Sequence, residues 1–271
     1  MENLPFSLLP VLAVFFAVIF QAGSSQKAPD AANNASARVP VVLELFTSEG
    51  CSSCPPADAL LAKLEEEQPV SGAEIVALEE HVDYWDHQGW NDPFSSAQWT
   101  QRQQTYASGF RDHGVYTPQL VVDGRVGFVG SHEADTYRAI AGALREPRTD
   151  VAVSVLKSEK RDHERIKVEV GKLRGAEERD VAEVWLALTE RRLHSAVTGG
   201  ENAGQDLHHA GVVRWFHKAG TTDRDATPSF VGESDLKLDS TWNRANLRVM
   251  AFVQEKRSRH IIGAAVARIE P

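Results

Sequence analysis

Cysteine is scarce in this chain: of 271 residues only Cys51 and Cys54 carry thiols. Two thiols cannot staple a small disulfide scaffold or supply a four-cysteine zinc site. Basic residues are also in deficit, 29 Lys and Arg against 38 Asp and Glu, for a formal net charge of −9. Contact with a phosphate backbone needs the opposite balance, which argues against a dedicated nucleic-acid binder. Glycine and proline, 19 and 12 residues, are too few for a low-complexity or collagen-like chain. What is there suits a buried core: 42% of residues are hydrophobic and 25% charged. The length allows one or two domains.

Leu8 to Phe20 is an apolar run of 13 residues followed by the small residues Ala22, Gly23, Ser24 and Ser25. The run is short for a membrane-spanning helix, which needs about 20 residues, and suits the core of a secretory signal. The usual basic leader is missing, and the early charge is Glu2. Residues 1–25 are therefore expected to be a signal peptide or, if uncleaved, an N-terminal anchor through residues 4–20. Residues 26–38 lack apolar periodicity and read as a linker. The expected compartment is extracytoplasmic, periplasmic or secreted, where disulfides persist.

Beyond the linker, Val41–Phe46 reads as a strand buried on both faces and Pro56–Glu67 as a helix. Glu74–Val82 returns to strand character, and Ser95–Ala107 tolerates a helix. Asp123-Gly124 between two apolar runs marks a hairpin, and Glu133–Leu144 an amphipathic helix. After Pro147 the chain changes character. Val151–Leu156, Ile166–Val170, Val181–Leu188, Val212–Phe216, Leu247–Val253 and Ile261–Ile269 all read as strands, with no long helix between them. The pattern predicts an α/β domain over 39–147 followed by an all-β, sandwich-like domain over 148–271.

The two cysteines fall in Thr47-Ser48-Glu49-Gly50-Cys51-Ser52-Ser53-Cys54-Pro55-Pro56, between a strand and a helix. Cysteines three apart can close a disulfide without backbone rearrangement. A place at the helix N-terminus favours a thiolate, and Cys51 is expected there. A fall in thiol pKa from about 8.5 to about 6.5 raises the thiolate fraction at pH 7 from about 3% to about 76%, while intrinsic nucleophilicity falls about tenfold. The net gain in attack rate is only about two- to threefold, so a nearby resolving thiol matters more. This assigns Cys51 as nucleophile and Cys54 as resolving thiol, at an accessible rim. A passive bridge closing so short a loop would constrain the unfolded chain little. Metal binding by the pair remains open.

The blocks Leu43–Asp58, His81–Asp86, Gly89-Trp90, Asp92-Pro93-Phe94, Val115–Gln119, Gly200–Gly204 and Val212–Arg214 resemble the signature of a secreted thioredoxin-like family of unknown function. The resemblance spans about residues 41–254. It implies a thioredoxin-like domain with an appended β domain, and export from a bacterial cell. It further implies a cis-proline opposite the cysteines at Pro118, preceded by Thr117, where a client backbone could pair as an added strand. Glu44 is the nearest candidate for the buried acid that relays protons in such folds. The intervening Ser52-Ser53 departs from the Gly-Pro of thioredoxins and the Pro-His of strong disulfide donors, leaving the potential and direction undefined.

Glu79–Phe94 is acidic and aromatic. Its alternating residues His81, Asp83 and Trp85 share one face if the strand continues through them, and the loop leaves on the ligand-binding side of an open α/β sheet. Asp83 and Trp85 are the candidates for substrate contact; the other loop residues are expected to pack. Adjacent His208 and His209 point to opposite faces of any strand and read as loop or interface residues. The reading is an extracytoplasmic thiol–disulfide oxidoreductase acting on a thiol- or disulfide-containing protein or small thiol, with an unidentified partner reductase or oxidase and no cofactor. The alternatives are a copper or zinc carrier using Cys51, Cys54 and His81 or His87, and a non-catalytic partner-binding module.

Overall fold

The computed structural model describes Met1, residues 38–110 and residues 114–270. The apolar run 8–20, and the linker apart from Arg38, lie outside the described residues. Among the described residues no helix is long and apolar enough to cross a membrane.

The first half runs β1 (Val39–Thr47), α1 (Pro55–Glu67), β2 (Ala73–His81), α2 (Ala97–Ala107), β3 (Gln119–Val122), β4 (Val126–Val129) and α3 (Glu133–Ala143). The second runs β5 (Val151–Lys157), β6 (His163–Val170), β7 (Ala182–Glu190), β8 (Leu193–Ala196), β9 (Asp206–His209), β10 (Val212–Thr221), β11 (Phe230–Lys237), a 3-10 turn at Arg244–Asn246, β12 (Leu247–Glu255) and β13 (Ile261–Arg268). Hydrophobic periodicity locates most of these elements; β8, β9 and β11 are the strands it misses.

Their assembly differs from the expectation of a thioredoxin-like α/β domain followed by a separate all-β sandwich. The protein is mostly β, with one mixed sheet ordered β13-β12-β7-β10-β2-β1-β3-β4, and three α-helices among the described residues. β1 and β2 are parallel. β10 then takes the free edge of β2, also parallel, pairing Val212 with Glu79, and the Glu79 N–H donates to the Gly211 carbonyl at 2.8 Å. An edge left open by β2 would expose unpaired backbone groups, and the second half of the chain covers it. Strands from both halves thus share one hydrogen-bonded layer. β11-β6-β5 form a small second sheet, and β8-β9 a hairpin.

Side-chain alternation lets the sheet bury both faces. Val41, Leu43 and Leu45 pack with Leu61 and Leu64 of α1 and Ile140 of α3. Val42 and Phe46, on the other face, meet Trp99 and Tyr106 of α2 together with Met250 and Phe252. Leu186, Leu188, Val249 and Ala251 cover Ile166 and Val168 of the small sheet. The large sheet curls until its ends touch: the Ile261 N–H donates to the Asp123 carbonyl at 2.9 Å. Asp123 also accepts from the Val42 N–H at 2.9 Å and from Arg148. The adjoining Gly124 has φ +65°, and a Cβ there would stand 1.9 Å from the Arg259 carbonyl oxygen, so the tight approach requires glycine.

Candidate functional site: a covered disulfide above a carboxylate–histidine cluster

Cys51 and Cys54 form a disulfide, with Cα atoms 5.5 Å apart. The turn between β1 and α1 brings them together: the Cys51 N–H donates to the Ser48 carbonyl at 3.2 Å and the Cys54 N–H to the Cys51 carbonyl at 3.1 Å. Cys54 is the N-cap residue of α1, and Pro55 and Pro56 occupy first-turn positions that need no N–H donor. Cys51 stands one turn before the helix, so proximity to the helix terminus belongs to Cys54 rather than Cys51.

The accessible rim is absent from this closed arrangement. Both cysteines are 0% exposed, whereas Ser52 and Ser53 between them are exposed. Trp85 lies against Gly50, where a Cβ would come within 3.1 Å of the Trp85 Cβ. Its indole Nε1 donates to Thr117 Oγ1 at 2.8 Å. The Thr117–Pro118 bond is cis. Ser53 joins this group, with its hydroxyl 3.3 Å from Cys51 Sγ and 3.4 Å from the Thr117 carbonyl oxygen. From the other side comes the loop 197–205 between β8 and β9. Asn202 Nδ2 donates to the carbonyls of Glu49, at 2.8 Å, and Cys51, at 3.0 Å. Glu201 accepts from the Ser52 N–H at 3.1 Å, and hydrogen bonds from Ser52 hold its carboxyl below the usual range.

Trp85 and Thr117 thus gather near Cys51, with Pro118 next in the chain, while Glu44 and Asp83 are held elsewhere. Glu44 faces α2, on the sheet face opposite α1, and accepts from Arg102 Nε and the Tyr106 hydroxyl, both at 2.5 Å. Asp83 accepts from the Thr100 hydroxyl at 2.6 Å, tying the loop to α2. The acid on the cysteine side is Asp58, one helical turn beyond Cys54, whose N–H donates to the Cys54 carbonyl. Burial and the neighbouring Glu79 push its carboxyl up to about 7, against the pull of His209, the Thr47 hydroxyl and His81. The i to i+4 spacing of Cys54 and Asp58 on an expected helix was the available signal for it.

Below the disulfide lies a cluster of buried polar side chains. Glu79 and His81 project from the same face of β2, and His209 enters from β9; each is at most 3% exposed. His81 Nδ1 stands 2.7 Å from Asp92 Oδ2, and Asp92 also accepts from the Glu49 and Phe94 N–H groups. His209 Nε2 stands 3.1 Å from Glu49 Oε1, and Trp90 Nε1 donates to Glu49 Oε2 at 2.8 Å. Glu79 Oε1 accepts from the Ala210 N–H at 2.9 Å. Burial alone would lower the His209 pKa; the Glu49 contact at 3.1 Å and the Glu79 carboxylate 3.5 Å from Nδ1 outweigh it and raise it to about 10. Burial raises Asp92, but His81 and the two backbone donors outweigh it and leave the carboxyl below the usual range. His209 is therefore a core residue rather than a loop or interface one. The opposite-face rule already required one of the histidine pair to point inward, and His208 is the exposed one. His81 meets Asp92, Phe94 and His209, and His87 is exposed, so neither stands with the cysteines as a ligand set.

Fold and site define a class of protein: a predominantly β chain whose Cys-x-x-Cys disulfide sits at a strand–helix junction, beside a buried carboxylate–histidine cluster, under a loop from a distant hairpin. The chain belongs to the DUF1223 family, described as protein of unknown function, which matches residues 42–254. No curated protein matches it. It is similar to the crystal structure of protein AGR_C_4864 from Agrobacterium tumefaciens, at 27% identity and a TM-score of 0.63, covering 86% of this chain and 96% of that one. It is also similar in fold to HBP35 of Porphyromonas gingivalis, at 17% identity and a TM-score of 0.63, covering 86% of this chain and 76% of that one.

Proposed function

We propose that this protein is an extracytoplasmic thiol–disulfide oxidoreductase that cycles Cys51 and Cys54 between disulfide and dithiol. The observation that carries the reading is the bonded pair at the start of α1, with the Ser53 hydroxyl beside the Cys51 sulfur and Asp58 one turn below Cys54. In the reducing direction the Cys51 thiolate attacks a client disulfide and expels one client thiolate. The Cys54 thiolate then attacks the Cys51 sulfur, re-forming the bond and releasing the second client thiol. Two electrons pass to the client, and the reverse sequence oxidises a client dithiol. In this reading the Ser53 hydroxyl, 3.3 Å from Cys51 Sγ, donates to a Cys51 thiolate, and Asp58, whose carboxyl accepts from the Thr47 hydroxyl and is pushed up to about 7, serves as the nearby buried acid. Because both sulfurs are covered, exchange needs the Cys turn to open, and in this reading the loop 197–205, hydrogen-bonded to that turn, is the part that lifts. The apolar run 8–20 supports an oxidising compartment.

The test is trapping. Cys54→Ser is expected to accumulate a mixed disulfide through Cys51 with a model thiol–disulfide client, and Cys51→Ser to accumulate none. If neither variant changes any exchange rate relative to the native chain, the reading fails. The measured reduction potential then gives direction: about −270 mV marks a reductant and about −120 mV a disulfide donor.

A further inference from the structure

We propose that Glu79, His81 and His209 form a binding site for one divalent transition-metal ion, of which Zn²⁺ is the representative. The site takes no ligand from the cysteines.

One ligand atom from each of the three residues lies within 4.8 Å of the other two. The atoms Glu79 Oε2, His81 Nε2 and His209 Nδ1 are buried and have no hydrogen-bond partner among the described residues. Of the three, Glu79 Oε2 and His209 Nδ1 face each other beyond good hydrogen-bonding distance and His81 Nε2 faces no partner, an arrangement that is unfavourable in a protein interior. Glu79 Oε2 and His209 Nδ1 stand 3.5 Å apart. Tetrahedral bonds of about 2.0–2.1 Å to a zinc ion put ligand atoms about 3.3 Å from one another, so that pair is already near its bound spacing.

The opposite atom of each residue is occupied. Asp92 holds His81 Nδ1, Glu49 holds His209 Nε2, and the Ala210 N–H holds Glu79 Oε1. Carboxylates on the far nitrogens of two histidines orient the rings and raise their basicity as ligands, a recurring outer layer of metal centres. Those carboxylates are themselves fixed, by the Trp90 indole and by the Glu49 and Phe94 N–H groups. Charge points the same way. Glu49, Glu79 and Asp92 put three buried carboxylates beside two imidazoles, and Asp58 adds a fourth acid. A divalent cation offsets that excess, as a proton on either ring does only in part. Two imidazoles and one carboxylate suit a borderline divalent ion and not Mg²⁺ or Ca²⁺, which prefer all-oxygen sets.

The experiment titrates Zn²⁺ and Co²⁺ into the full, metal-stripped chain with its disulfide intact. Expected are one ion per chain by calorimetry and visible d–d absorption with Co²⁺, with no near-ultraviolet thiolate-to-cobalt band. Mg²⁺ is expected not to compete. The Cys51→Ser/Cys54→Ser double variant should bind with unchanged stoichiometry, which separates this site from any thiol site and from the outcome of the exchange assays. His209→Gln should reduce affinity at least 100-fold, and Glu49→Gln, which touches only the outer layer, about 10- to 100-fold. Should His209→Gln fail to fold, the native chain still decides: absence of stoichiometric Zn²⁺ and Co²⁺ binding overturns the proposal. So does binding that disappears in the double cysteine variant.

Discussion

Asn202→Ala is expected to speed reduction of the Cys51–Cys54 disulfide by a small thiol about 5- to 150-fold. One side-chain amide donates to two carbonyls, those of Glu49 and Cys51, and these two bonds hold the loop 197–205 over the Cys turn. Their loss leaves the Glu49 carbonyl poorly satisfied in the closed form, at about 1–3 kcal/mol, while the Cys51 carbonyl keeps the Cys54 N–H. Where opening and closing are fast relative to thiol attack, the rate follows the open population, and each 1.4 kcal/mol is about tenfold. Glu201→Gln keeps an acceptor for the Ser52 N–H and removes only a charge at an exposed position, and should change the rate less than about threefold. The measurement is thiol-dependent reduction followed by mass, with thermal unfolding as a control. Equal rates in Asn202→Ala and the native chain would show that attack does not pass through loop opening. A rise matched by global destabilisation would show that the loop is not a separate gate.

The largest stability effect is expected at Arg102. Its guanidinium stands within 3.2 Å of both Glu44 and Glu80, two carboxylates that are 0% exposed. It also donates to the Tyr106 hydroxyl at 3.1 Å and lies over the Phe216 ring, 4.7 Å from the centroid. Burial and the Glu44 charge raise the Glu80 carboxyl well above the usual range, and Arg102 opposes them. Arg102→Met keeps most of the volume and deletes the cation that pairs with both carboxylates. Removing one partner of a buried ion pair typically costs about 3–5 kcal/mol. For a unit of this size that corresponds to a fall in Tm of about 6–20 °C. Adding Glu44→Gln removes one of the stranded charges and should recover a substantial part of the loss. Denaturant unfolding of the single and double variants measures both effects. A single-variant loss under about 1 kcal/mol would mean that water reaches the two carboxylates.

Individual elements of this protein are legible in its sequence wherever the two faces of a segment differ, or where both are apolar. Val41–Phe46, Ile166–Val170 and Leu247–Val253 are strands for that reason. β11 escapes the pattern because its inward positions include Gly232 and Ser234. The Phe230 ring occupies the space beside Gly232, where a Cβ would meet it at 2.6 Å, so packing erased the hydrophobic alternation. β8 and β9 are only four residues each and carry histidines and aspartate, too little for periodicity to register. The site was half legible. Cys51, Cys54, Trp85 and Thr117 converge, while Glu44 does not, because a strand residue's face follows from its register, nor does Asp83, because β2 ends at His81 and Asp83 turns to Thr100.

Local chemistry alone established the strand–turn–helix around the two cysteines, the Asp123-Gly124 hairpin and the amphipathic helices, since each depends on residues within a few positions of one another. Tertiary structure decided which strand β2 would accept at its free edge, that one curled sheet would join both halves, and that Asn202 would close over Cys51. It also placed His209 beside Glu49, 160 positions away in sequence. Such pairings arise when a growing sheet satisfies its last open edge and buries its remaining polar groups, and no local pattern encodes which distant segment will do so.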